Sequence, residues 1–137
     1  MPKPQAGWAY QPRKQPPPTV PAALKREVEQ KANAFVATVL KPRFVAPPPE
    51  NPQFNYLEDL YTKWHGSCLY FCAQYRSAGP HALGGHFETR FARMKYAADG
   101  LFVLGFMRYT EKWIDLSAGQ TADDCLTAIG DGGLFHP

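Results

Sequence analysis

The spacing of apolar positions changes partway along this chain, and the change divides a helix from a sheet. Leu24, Val28, Ala32, Phe35, Val36, Val39 and Leu40 recur at intervals of three and four, the stripe of an amphipathic helix. Lys25, Arg26, Glu29, Gln30 and Asn33 fall largely on the other side. Pro21 suits a helix start, where its fixed φ and missing N–H cost nothing, and Pro42 is expected to stop the helix. A rigid connector follows, with Pro47, Pro48, Pro49 and Pro52. Beyond it the period becomes two. Residues 56–64 and 67–76 flank His65-Gly66, and residues 87–97 and 101–109 flank Asp99-Gly100, two hairpin signals. A fifth strand, 112–116, follows a tight turn at Thr110-Glu111. Thr121 with Asp124 three residues on reads as a capping box for a short helix that Gly130 ends.

The predicted fold is therefore α+β. An N-terminal amphipathic helix, a five-stranded antiparallel meander sheet and a short C-terminal helix form one domain, 21–137, behind a proline-rich arm, 1–20. The strands carry a second message. On one, Leu69, Phe71, Ala73 and Tyr75 alternate with Cys68, Tyr70 and Cys72; on another, Leu101, Val103 and Met107 alternate with Phe102, Leu104 and Phe106. A sheet packed on one side alternates apolar with polar, so this pattern predicts cover on both faces. The long helix supplies one cover; the short helix, the arm or a second subunit must supply the other.

Composition adds the arm and its charge. Twelve of the fourteen prolines lie at or before Pro52, and residues 1–20 hold three basic residues and no acid, a composition that favours extended polyproline II. Up to Arg43 the chain is +6, and from Phe44 onward it is −3, which gives the net +3. The basicity thus belongs to the arm and first helix. Cys68 and Cys72 sit on one strand, about 13 Å apart, too far for a disulfide. Three free thiols, no leader-like segment after Met1 and no apolar run long enough for a membrane point to a cytoplasmic protein.

Several short stretches resemble a bacterial family known as domain of unknown function 3024: Ala34-Phe35-Val36, Lys41-Pro42-Arg43, Met94-Lys95-Tyr96, Phe106-Met107-Arg108, Lys112-Trp113 and the closing Leu134-Phe135. The likeness spans residues 22–137 and excludes the arm. It implies the same order of helix, hairpins and late helix, and it transfers no catalytic residue or cofactor.

Candidate chemistry is sparse. His65, Cys68, Cys72, His81 and His86 fall within twenty-two residues, but Cys68 and Cys72 as strand neighbours cannot reach one zinc ion. A cysteine nucleophile would need a nearby base such as His86, and the acids Glu58, Asp59, Asp115, Asp123 and Asp124 show no pairing for acid–base work. No phosphate loop is present. The expected function is a non-catalytic module, without cofactor or metal, that binds a protein partner or itself. Trp8, Tyr10, Arg13 and Lys14 of the arm, together with an apolar sheet face, are the candidate contacts. The alternative is single-stranded nucleic-acid binding by Arg90, Arg93, Lys95, Arg108, Lys112 and Trp113, where basic residues interleave with aromatics. An uncharacterised enzyme is the second alternative.

Overall fold

The structure, a computed structural model, describes residues 18–78 and 85–137. Trp8, Tyr10, Arg13, Lys14 and His81 lie outside the described residues.

Helix α1 (Ala22–Phe35) continues through a π-helical turn (Val36–Leu40) into a last α-helical turn, α2 (Lys41–Phe44). The π turn has a sequence cause. The buried residues Val28, Ala32, Val36 and Leu40 are spaced strictly by four, which drifts about 40° per step around an α-helix. A π turn holds more residues per revolution and takes up part of that drift. The Lys41 N–H accordingly bonds the Val36 carbonyl, five residues back. The same widening corrects one expectation. In a regular α-helix the Pro42 ring would strike the Thr38 carbonyl; here the chain passes Pro42 and stops at Phe44, where Val45 becomes extended (φ −93°, ψ 114°).

Five strands follow: β1 (Tyr56–His65), β2 (Cys68–Arg76), β3 (His86–Ala98), β4 (Leu101–Met107) and β5 (Trp113–Gln120). They form one antiparallel meander in sequence order. The turn between β3 and β4 has both Asp99 (φ 54°) and Gly100 (φ 76°) left-handed, as a type I′ hairpin requires. In the first hairpin His65 pairs with Cys68, so the turn residues are Gly66-Ser67, one position later than the sequence suggested. β5 runs four residues past its expected end and leads into α3 (Ala122–Gly130). The capping box is formed: Asp124 N–H donates to Thr121 Oγ1 at 3.1 Å, and Thr121 N–H donates to Asp124 Oδ2 at 3.2 Å.

Both helices lie on the same face of the sheet. α1 packs on β1, and α3 packs on β3, β4 and β5. The helices also touch each other. Lys31 reaches Asp123 at 3.3 Å, Arg43 Nη1 donates to the Gly130 carbonyl at 2.8 Å, and a Cβ on Gly130 would lie 3.1 Å from the Phe35 ring. Between helices and sheet lies one core, built on Leu60, Leu69, Phe71, Phe91, Met94, Phe102 and Leu104 and closed by Phe135. The short helix thus does not cover the second face. Among the described residues no helix or strand lies over it.

The cap offers a simple check. Thr121→Ala should lower the unfolding free energy by about 1 kcal/mol in urea titrations, while Thr121→Ser should stay close to the parent. Equal stability of all three proteins would show that α3 does not depend on this cap.

Candidate functional site

Strand register assembles the second face. One row crosses all five strands: Lys63, Tyr70, Arg93, Gly105 and Asp115 are successive partners. Tyr61, Cys72 and Arg90 form the row on one side, and His65, Cys68, Lys95 and Val103 the row on the other. Strict alternation would send Arg90 and Arg93 to opposite faces. The β2–β3 ladder slips at Phe91, where Phe71 pairs with Ala92 but Cys72 with Arg90. That bulge turns both Phe91 and Ala92 into the core and leaves both arginines on the open face.

There the arginines lie on aromatic rings. The Arg90 guanidinium stands 4.3 Å from the Tyr70 ring centre and that of Arg93 4.7 Å from the Trp113 ring. The two rings are themselves 5.5 Å apart. This layer of stacked cations and rings is how Tyr70 becomes 9% exposed and Cys72 fully buried without a helix above them.

Carboxylates hold the cations in place. Glu88 pairs with Lys63 at 3.0 Å and Arg90 at 3.5 Å, and accepts a hydrogen bond from the Tyr61 hydroxyl. Asp115 pairs with Arg93 at 3.1 Å and Lys95 at 3.3 Å. Glu58 accepts from Gln74 and Arg76, each at 2.9 Å. Lys63, Arg76, Arg90, Arg93 and Lys95 thus share three carboxylates, Glu58, Glu88 and Asp115. The Arg93–Asp115 pair spans from β3 to β5 over Gly105. A Cβ there would sit 3.0 Å from Asp115 Oδ1, 3.1 Å from the Ile114 carbonyl oxygen and 3.4 Å from Arg93 Nε, so any side chain at this position would crowd the bridge. The Tyr61 hydrogen bond, followed by the one from Lys63, lowers the Glu88 pKa against the opposing effect of burial. For Asp115 burial is the largest single influence and raises the pKa, but Arg93 and Lys95 together outweigh it and the net shift is downward.

Of the basic and aromatic residues singled out in the sequence, Arg90, Arg93, Lys95 and Trp113 meet on this face. Arg108 and Lys112 stand at its rim, exposed in the β4–β5 turn, with Arg108 5.9 Å from the Tyr109 ring centre. Sequence reading missed Lys63 and Gly105, counted Tyr70 only as an apolar strand position and gave Asp115 no partner. Burial raises the Cys72 thiol to about 11 and Cys125 to about 12, which keeps both protonated at neutral pH. Among the described residues no group of three His, Cys, Asp or Glu side chains is placed to hold a metal ion, and no helix is long and apolar enough to cross a membrane.

Such a chain is an α+β domain whose helices cover one sheet face while the other carries a layer of cations and aromatic rings. The family model described as domain of unknown function (DUF3024) matches residues 20–137, and the chain belongs to that family. No curated protein and no solved structure matches it.

Two measurements test the architecture of this face. Gly105→Ala should cost about 1–3 kcal/mol of stability through overpacking; a neutral effect in denaturant would mean that the Arg93–Asp115 bridge does not press on β4. Glu88 and Asp115 have folded pKa values below their unfolded ones. The stability they contribute is therefore present above about pH 4 and is lost as the pH falls through the lowered folded values. Acid unfolding followed by tryptophan fluorescence should have its limb below that point, and Glu88→Gln should flatten it. An acid limb unchanged by that substitution would contradict the assignment.

Proposed function

We propose that this chain is a non-catalytic binding module whose open sheet face holds a single-stranded nucleic acid. The observation that carries the reading is the Arg90–Tyr70 and Arg93–Trp113 layer on a sheet face with no described element above it. Single strands are bound by planar groups on which bases stack and by cations that follow their phosphates. Here the guanidinium planes of Arg90 and Arg93, backed by Tyr70 and Trp113, share one face with Lys63 and Lys95. Glu88 and Asp115 preset the cations, and phosphates would share them rather than bind bare charges. The arm adds Lys3, Arg13 and Lys14. Its last residues, Pro18, Thr19 and Val20, lie beside Gly66 and Ser67, at the end of the face that carries His65, Cys68 and Lys95. Three free cysteines, two of them buried, support a reducing, cytoplasmic setting.

A protein-interaction role, with Trp8, Tyr10, Arg13 and Lys14 of the arm as contacts, is the second reading. It is favoured by exposed apolar side chains at the other end of the molecule, Phe54 (82%) and Tyr109 (91%). Fluorescence anisotropy with a labelled single strand separates the two. The nucleic-acid reading expects binding at low salt that weakens steeply as salt rises, and a loss of roughly tenfold for Trp113→Ala, with Lys95→Ala reducing the salt slope. Absence of binding at low salt would remove it.

A further inference from the structure

β3 is thirteen residues long, but β4 pairs only with its second half, from Ala92 to Ala98. Residues 86–91 are joined to β2 on one side; among the described residues no strand lies along the other. Free N–H and C=O groups on such an edge are a template for another strand. The ladders of the outer strands β1 and β5 are interrupted by register shifts, a device that blunts edges. The β2–β3 ladder runs unbroken from Arg76↔His86 to Cys72↔Arg90, so this inner edge is regular as far as Arg90 and bulges only at Phe91.

Its sequence indicates what fits it. The segment reads Phe87-Glu88-Thr89-Arg90-Phe91. Laid antiparallel on a copy of itself about Thr89, it sets Glu88 opposite Arg90 and Thr89 opposite Thr89, with the bulge at Phe91 ending the regular pairing. Glu88 and Arg90 share the open face, and Phe87 and Thr89 the other. Each pairing is of a kind that stabilises neighbouring strands. Open grooves flank the edge on both sides. One of ≈ 420 Å³ is lined by Tyr75, Phe87, Phe91, Met107 and His136, and one of ≈ 460 Å³ by Glu88, Arg90, Met107 and Glu111. Phe87 is 40% exposed beside them.

We infer that the chain forms a two-fold dimer in which residues 88–90 of β3 pair antiparallel with the same residues of a second copy, joining two five-stranded sheets into one. The contact is isologous, as two-fold symmetry demands, and short, so association is reversible and depends on concentration. It shares Glu88 and Arg90 with the proposed nucleic-acid face, but sedimentation of the protein alone reads only the dimer, so either proposal can fail without the other.

Sedimentation velocity on the full chain, from micromolar to high-micromolar concentration, tests it. The parent protein should pass from monomer to dimer. E88R and R90E each place like charges opposite one another and should remain monomeric, while an equimolar mixture of the two restores opposite charges at both positions and should dimerise. T89C supplies a check that does not disturb the Glu88 pairs. The axis brings the two Thr89 Cα atoms to about 4.5–5.5 Å, within disulfide reach, so mild oxidation should cross-link T89C dimers and leave the parent uncross-linked. A parent that stays monomeric, a mixture that stays monomeric while the parent dimerises, or a T89C protein that does not cross-link would each overturn the inference.

Discussion

A five-stranded meander has two faces, and this chain puts both of its helical layers on one of them. Lys31–Asp123, Arg43 with the Gly130 carbonyl, and the Phe35 ring on Gly130 lock α1 and α3 side by side. The second face, with no described helix or strand above it, must still hold Tyr70, Cys72, Trp113 and Met107. The solution is to cover rings with cations rather than with another apolar layer. A guanidinium lies flat on an aromatic ring, shields it and remains hydrated at its edges.

That solution constrains the backbone beneath. Arg90 and Arg93 share a face because β3 bulges at Phe91, and Arg93 reaches Asp115 two strands away across Gly105, where a Cβ would crowd the bridge. Glu88 and Asp115 each serve two cations, so neither is replaceable without releasing a pair. These are exchanges of charge at partly exposed positions, where single ion pairs contribute little. Their effect is to fix orientation. A preset array of cations and rings is also what a polyanion with flat bases would meet at low cost in side-chain entropy.

Much of the fold was legible in the sequence. The four-residue spacing from Val28 to Leu40, Asp99-Gly100 and the Thr121–Asp124 box each act through local physics, and each stands where its signal placed it. Pro42 misled because tertiary packing favours a π turn just ahead of it. On the second face, the short helix was one expected cover and does not lie there. Among the described residues, Tyr70 and Cys72 have beside them Arg90, Arg93 and Lys63, charged residues on neighbouring strands. Register decides such neighbours, and every one of the four ladders carries a shift. Counting outward from Asp99-Gly100 therefore goes out of step at Tyr96/Ala98, before reaching Arg93. The site was spelled in the sequence, but its geometry was hidden by bulges that no local signal marked.

The account turns on whether the open face is where a ligand binds. Mapping backbone amide shifts of the labelled protein during titration with a short single-stranded oligonucleotide tests this directly. The largest changes should fall on Tyr70, Arg93, Lys95, Trp113 and Asp115, with α1 and its side of the core unaffected. Changes centred on α1, or none at saturating oligonucleotide, would contradict it.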